Sequence, residues 1–396
     1  MIDIRVGNCL DKLKEIPDDI IDSCITSPPY YGLRDYQTAT WEGGDLNCDH
    51  KGKPFATKKN VNKNTGGRDV KNIEDREFFK DICRKCGAKR KDDQIGLEQT
   101  PDAYVEKLVQ VFREVRRVLK PTGNLWLNLG DSFSGSRGNR GNDIKEDIAW
   151  KRKGTTPDKR PTASVVGLKP KDLIGIPWMV AFALRADGWW LRQDIIWQKS
   201  NPMPESVTDR CTKSHEYIFL LAKSQKYYFD HKAIREQGSA DQIPRLMRGV
   251  SETHKNVDGA PGQTPHSMNK PRKNFKKEMG GGGTSFINHS GYYKADGTLI
   301  SDGMRNKRDV WIISTKPFKE AHFATFSKEL ILPCVLAGCP KDGTILDPFM
   351  GSGTTGVVAK ENNRNFIGVE LNPAYAEMAR KRIDNAISNS LLDFIK

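Results

Sequence analysis

No stretch of about 18 apolar residues occurs in these 396 residues, so a membrane-spanning helix is not expected. The start, Met1-Ile2-Asp3-Ile4-Arg5, has no basic region leading into an apolar one. A secretory leader is therefore not expected either, and the cytoplasm is the expected compartment. Cysteine is sparse and scattered, eight residues in all, which suits reduced thiols better than a disulfide framework. Internal repeats are lacking. Acidic side chains fall short of basic ones, 50 against 64, leaving a net charge of +14. That surplus points to a polyanionic partner, nucleic acid before membrane, against the blander reading of an ordinary basic surface.

What is present is an alternation of apolar strands and amphipathic helices. Ile2 to Val6 and Ile20 to Ile25 read as strands around a helical stretch from Cys9 to Ile16. Thr100 and Pro101 suit an N-cap and first helical position. Tyr104, Leu108, Phe112, Val115 and Leu119 then recur at helical spacing until Pro121 and Gly123. Further strands are expected over Asn124 to Leu129, Trp189 to Trp197, Tyr217 to Ala222, Thr344 to Asp347 and Phe366 to Glu370. Helices are expected over Ile174 to Ala186, Ser327 to Leu336 and Pro373 to Ile387. This order predicts an α/β fold, a mostly parallel, doubly wound sheet with helices on both faces. Three polar stretches interrupt it: 41–96, 133–170 and 231–306, the last with scattered basic residues from Arg245 to Lys277 and a run of four glycines.

Two loops carry chemistry. In the first, Ile345-Leu346-Asp347-Pro348-Phe349-Met350-Gly351-Ser352-Gly353-Thr354, a buried strand ends on an acid and a glycine turn leads into a helix. The glycines let a ligand approach the backbone. Glu370, seventeen positions after Gly353 at the end of the next strand, is placed like an acid that grips ribose hydroxyls. No Lys follows Gly353, which excludes a P-loop. Gly356 completes a formal G-x-G-x-x-G, so a nicotinamide site stays open. Asp347 favours a cationic ligand over a pyrophosphate. In the second loop, Ser27-Pro28-Pro29-Tyr30, two prolines remove backbone donors and leave acceptors, the Ser27 hydroxyl and the Pro28 carbonyl, facing a ligand. Tyr30 offers a flat face for a base. Either loop alone also fits an ordinary turn.

Together, Ser-Pro-Pro-Tyr early and Asp-Pro-Phe-x-Gly-Ser-Gly-Thr late resemble the amino-group DNA methyltransferases that use S-adenosylmethionine, in the β-class motif order. Asn201-Pro202-Met203-Pro204, His215-Glu216-Tyr217, Arg308-Asp309-Val310-Trp311 and Phe323-Ala324-Thr325-Phe326 belong to the same resemblance. It implies a Rossmann-like methyltransferase fold with circularly permuted motifs and polar insertions. Residues 1–40 and 97–230 would form the catalytic half, 231–306 the DNA target-recognition region and 307–396 the cofactor half. Ser27, Pro28, Pro29 and Tyr30 would be catalytic. Asp347, Phe349, Gly351, Gly353 and Thr354 would surround the methionine part of S-adenosylmethionine, with Thr325 and Phe326 closing over that end, Glu370 on the ribose, and Asn8 and Cys9 near the adenine. Asn8 replaces the family's usual Asp. Ser27 resembles the cytosine-N4 members, where adenine-N6 members more often carry Asp. The resemblance implies base flipping in double-stranded DNA, direct transfer, and a monomer or homodimer. An RNA or nucleotide substrate and a non-catalytic DNA-binding protein are the competing readings.

Pro333-Cys334 supplies the dipeptide of a carbon-5 cytosine nucleophile, but its apolar neighbours place Cys334 in a core. Cys48-x-His50 and Cys83-x-x-Cys86-Gly87, in the polar segment 41–96, offer four ligands for a structural zinc, against four unrelated loop residues.

Overall fold

The computed structural model describes residues 1–32, 38, 40–45, 47–48, 82–83, 85–135, 167–238, 287–288, 291–292, 304–315 and 326–387. Eight strands form one sheet: β1 (Ile2–Val6), β2 (Ile21–Thr26), β3 (Leu119–Leu129), β4 (Trp190–Gln198), β5 (His215–Ala222), β6 (Val310–Ile312), β7 (Thr344–Asp347) and β8 (Asn365–Glu370), in the spatial order β1-β8-β7-β2-β3-β5-β4-β6. Every pairing is parallel except those of β5, which runs against both β3 and β4. The sheet is thus mostly parallel, as the alternation of elements predicts. It draws on residues before 41, on 119–222 and on residues after 309.

Helices cover both faces. On one, α1 (Cys9–Lys14), α2 (Pro101–Val118) and α3 (Ile176–Ala186) bury Leu13, Leu108, Phe112 and Val180 against Leu125, Leu127 and Phe219 of the sheet. On the other, α4 (Lys328–Gly338), α5 (Thr354–Glu361) and α6 (Pro373–Asp384) bury Leu330, Val335, Val358 and Ala379 against Ile25, Trp126 and Phe366. Parallel strands covered this way must be apolar on both faces, which is why Ile345-Leu346 and Phe366-Ile367 read as continuous hydrophobic runs.

The caps follow local chemistry. Thr100 accepts from the Ala103 amide to open α2, and Asn8 from the Leu10 amide to open α1. Helix α3 starts at Gly175, which has no side chain to cap it. The Asp131 carboxylate, from the segment after β3, accepts from the Gly175 and Ile176 amides instead. Cys334 is buried in α4, hydrogen-bonded to the Leu330 carbonyl, and burial pushes its thiol up, so it is core as expected.

The sequence reading missed two features. The first is the edge strand β6, three residues long and too short for periodicity to register. The second is the end of the 41–96 stretch. Residues Thr40–Glu42 pair antiparallel with Lys89–Lys91, and Ala88, Gln94 and Ile95 are buried, so this end is built into the body. The expected loop at 133–170 and the basic stretch 231–306 lie largely outside the described residues.

Candidate active site

Strands β2 and β7 lie side by side at the centre of the sheet, Ile345 opposite Ser23 and Leu346 opposite Cys24. Both run in the same direction, so the two loops predicted to carry chemistry leave the sheet together at its carboxyl edge, where open α/β sheets bind ligands. A buried hydrogen bond joins them: the Thr26 hydroxyl donates to Asp347 at 2.6 Å. The other Asp347 oxygen accepts from the Thr355 hydroxyl at 2.7 Å, and the Phe349 amide donates back at 3.1 Å. Asp347 is fully buried. Loss of hydration raises its pKa to about 6 in spite of these donors.

Above this junction lies a cavity of about 560 Å³, within the range of small-molecule sites. One wall is the Ser27 to Tyr30 loop. Another is the glycine turn, with Phe349, Gly351 and Thr354, and a third is Asn8 and Cys9. Glu370 and Phe326 also face it. Of the predicted cofactor residues, Asp347 and Gly353 do not line it. Asp347 is consumed in fixing the two loops. Gly353, at φ +78°, lies where a Cβ would come within 2.8 Å of the Ala379 Cβ, so it serves the packing of α5 on α6. Thr325 lies outside the described residues.

The turn itself is held by Glu370. Its carboxylate accepts from the Gly351 amide at 2.9 Å and the Asn372 amide at 2.8 Å, and burial raises its pKa. Each oxygen has further lone-pair capacity for a hydroxyl. Cys9 is half-buried, and loss of hydration pushes its thiol up to about 12, so it is a neutral wall. Among the described lining residues, the acids Asp93, Glu216 and Glu370 outnumber the single cation, Lys199, which is itself ion-paired to Glu216. Such a lining suits a sulfonium and disfavours a pyrophosphate.

The Ser27–Tyr30 loop is held both from behind, by α2, and by side chains of the cavity wall. Tyr104 of α2 donates to the Pro29 carbonyl at 2.8 Å. The Tyr30 hydroxyl donates to Glu216 at 2.7 Å and sits 3.1 Å from Asn128 Oδ1. Burial, with Glu216 adding to it, pushes the Tyr30 phenol well up, so it stays protonated. Its ring rests where Gly130 has no side chain; a Cβ there would come within 2.5 Å of it. Ser27 lines the cavity, and its hydroxyl is 3.5 Å from the Tyr30 hydroxyl.

Sequence reasoning missed Asn128, Trp197, Thr315, Gln94 and Ile95 as lining residues. Glu216 and Asn201 sat in quoted motifs without an assigned task. Glu216 holds Tyr30, and the Asn201 side chain clasps the Thr315 backbone through both its oxygen and its nitrogen. Of the proposed metal ligands, Cys48, Cys83 and Cys86 come together with their sulfurs within 4.8 Å of one another. His50 lies outside the described residues.

A doubly wound sheet, a glycine turn held by a buried acid, and an acceptor-rich Ser-Pro-Pro-Tyr loop beside it match an S-adenosylmethionine-dependent methyltransferase of the Rossmann-like class. The sequence pattern of the family described as DNA methylase, the N6/N4 methyltransferases, matches residues 21–381, and the chain belongs to that family. It is 36% identical over 385 residues to the Type II methyltransferase M.Cfr9I of Citrobacter freundii, covering 97% of this chain and 88% of that protein. It is 36% identical over 381 residues to the Type II methyltransferase M.SmaI of Serratia marcescens, covering 96% and 90%. The solved PvuII DNA methyltransferase (cytosine-N4-specific) shares the fold at TM-score 0.50 and 15% identity, covering 100% of this chain and 90% of that one. The chain is therefore a DNA amino-methyltransferase that uses S-adenosylmethionine.

Proposed function

We propose that this enzyme methylates the exocyclic N4 of cytosine in double-stranded DNA, reading a specific site. The observation that carries the proposal is Ser27, a hydroxyl residue on a proline-stiffened loop, lining the same cavity as the glycine turn. An amino group entering there donates a hydrogen bond to Ser27 Oγ, which turns the nitrogen lone pair toward the neighbouring cofactor wall. Adenine-N6 members more often present a carboxylate at this position.

The residues fit the cofactor. Glu370 would hold its ribose, Asn8 and Cys9 its adenine end, and Phe349, Gly351, Thr354 and Phe326 its methionine end. Bound there, it supplies an electrophilic methyl group. The target base is flipped out of the duplex into the cavity. Pro28, Pro29 and Tyr30 keep the loop rigid while the base nitrogen attacks the methyl carbon in line, forming N–C as S–C breaks, and then loses a proton. No covalent enzyme intermediate is involved. The basic stretch 231–306, outside the described residues, is proposed as the target-recognition region, its Arg and Lys on phosphates and its Asn, Gln or Arg on base edges.

The test is single-molecule sequencing of DNA from cells expressing the protein, with nucleoside mass spectrometry of the hydrolysate. N4-methylcytosine at one recurrent site is expected. N6-methyladenine with no N4-methylcytosine would overturn the cytosine assignment, and transfer to RNA with none to duplex DNA would overturn the substrate.

A further inference from the structure

We infer that Cys48, Cys83 and Cys86 hold a structural zinc ion, and that this ion braces the catalytic loop. The three sulfurs lie within 4.8 Å of one another. Cys48 and Cys83 sulfurs are 3.8 Å apart, too far for a disulfide. It matches two corners of a tetrahedral zinc site, where zinc–sulfur bonds of about 2.3 Å put sulfurs about 3.8 Å apart. The backbone around them has the form of a metal knuckle. In Cys83-x-x-Cys86-Gly87 the Gly87 amide donates to the Cys83 carbonyl at 2.8 Å, and the Cys83 amide donates to the Ala88 carbonyl at 2.7 Å. Gly87 adopts φ +75°, which the turn requires. Gly44 leaves room for the Cys86 sulfur; a Cβ there would stand 2.7 Å from it. The fourth corner is left for one more donor; His50 lies outside the described residues.

Among the described residues of this unit the buried ones are few, Cys83, Ala88, Gln94 and Ile95, and its ribbon is three residues per strand. A metal supplies the folding free energy that such a core cannot. What the unit does is set by where it leads. Directly after the ribbon, Gly96 packs against the Pro29 and Tyr30 backbone, and its carbonyl accepts from the Gly32 amide at 2.8 Å. Asp93, Gln94 and Ile95 meanwhile line the cavity. The ion thus anchors the segment that closes the back of the Ser27–Tyr30 loop.

The experiment uses the full chain purified without chelator. Elemental analysis is expected to find one zinc per chain, lost in Cys83→Ser/Cys86→Ser and kept in Cys211→Ser, whose thiol is exposed and outside the cluster. Exchange of zinc for cobalt is expected to give the intense visible bands of a tetrahedral site with near-ultraviolet thiolate charge transfer. This spectrum decides the matter in the parent protein even if the double variant does not fold. Chelation is expected to speed hydrogen exchange over 85–98 and Pro29 to Gly32 while β7 and β8 stay protected. A parent protein that is metal-free yet fully active, a disulfide within the trio, or a double variant that retains zinc would overturn the site. Unchanged exchange at Pro29 to Gly32 on zinc removal would overturn the brace. None of these readouts depends on which base is methylated.

Discussion

At the scale of single residues, the site turns on two neighbours in the chain with different tasks. Thr26 ties β2 to Asp347, and Ser27 lines the cavity. Replacing Ser27 by Ala is expected to lower kcat on the order of 10²-fold by removing the acceptor for the amino group, with the Kd for S-adenosylmethionine unchanged. Labelled-methyl transfer and calorimetry read the two quantities, and undiminished transfer would remove Ser27 from catalysis. Asp347 carries a pH signature. Its pKa rises from 3.8 unfolded to about 6 folded, so the native state binds the extra proton between those values. Stability from this group is therefore present at low pH and is lost as pH rises from about 4 to about 6. Asp347→Asn should erase that slope. The urea midpoint of the variant relative to the parent is expected to climb over this window and level off above it. Asp347 also shows the limit of sequence reading. Its place before the glycine turn marked it as a ligand-facing acid, but Thr26, 321 residues away, takes its proton-accepting oxygen. The Tyr30–Glu216 bond was illegible for the same reason, since its partners are 186 residues apart. A motif displays its residue types and not their partners.

At the scale of elements, the strands and helices that the periodicity predicted are present to within a few residues, because burial on both faces writes long apolar runs into the sequence. Short pieces such as β6 and the Lys89–Lys91 ribbon carry too few residues to leave a pattern. The junctions between elements are where substitutions should be felt. Gly353→Ala puts a side chain into left-handed backbone against Ala379. It is expected to cost about 1–3 kcal/mol, read as a lowered thermal midpoint together with weaker S-adenosylmethionine binding, because the turn it ends lines the cavity. Asp131→Ala removes the borrowed cap of α3. A loss of about 1 kcal/mol in chemical denaturation is expected, with kcat and KM near parental values, since Asp131 does not line the cavity.

At the scale of the whole molecule, charge and sheet act separately. The net charge of +14 predicts DNA affinity that falls linearly in log–log form with salt. About a 10³-fold loss between about 50 and 200 mM is expected if six or so phosphates are contacted. A flat profile in a titration with labelled duplex would show that the surplus is not spent on DNA. The acid-lined cavity is a local exception to this net positive charge.

The sheet carries a consequence of its own. Strand β1 pairs along β8, from Ile2 opposite Phe366 to Val6 opposite Glu370, and α6 packs on β1. The first and last described elements are therefore neighbours. A chain joined here and opened at another surface connection would weave the same fabric, with β2 and β7 still side by side. Such a rearrangement reorders the two signature loops along a polypeptide without moving either in space.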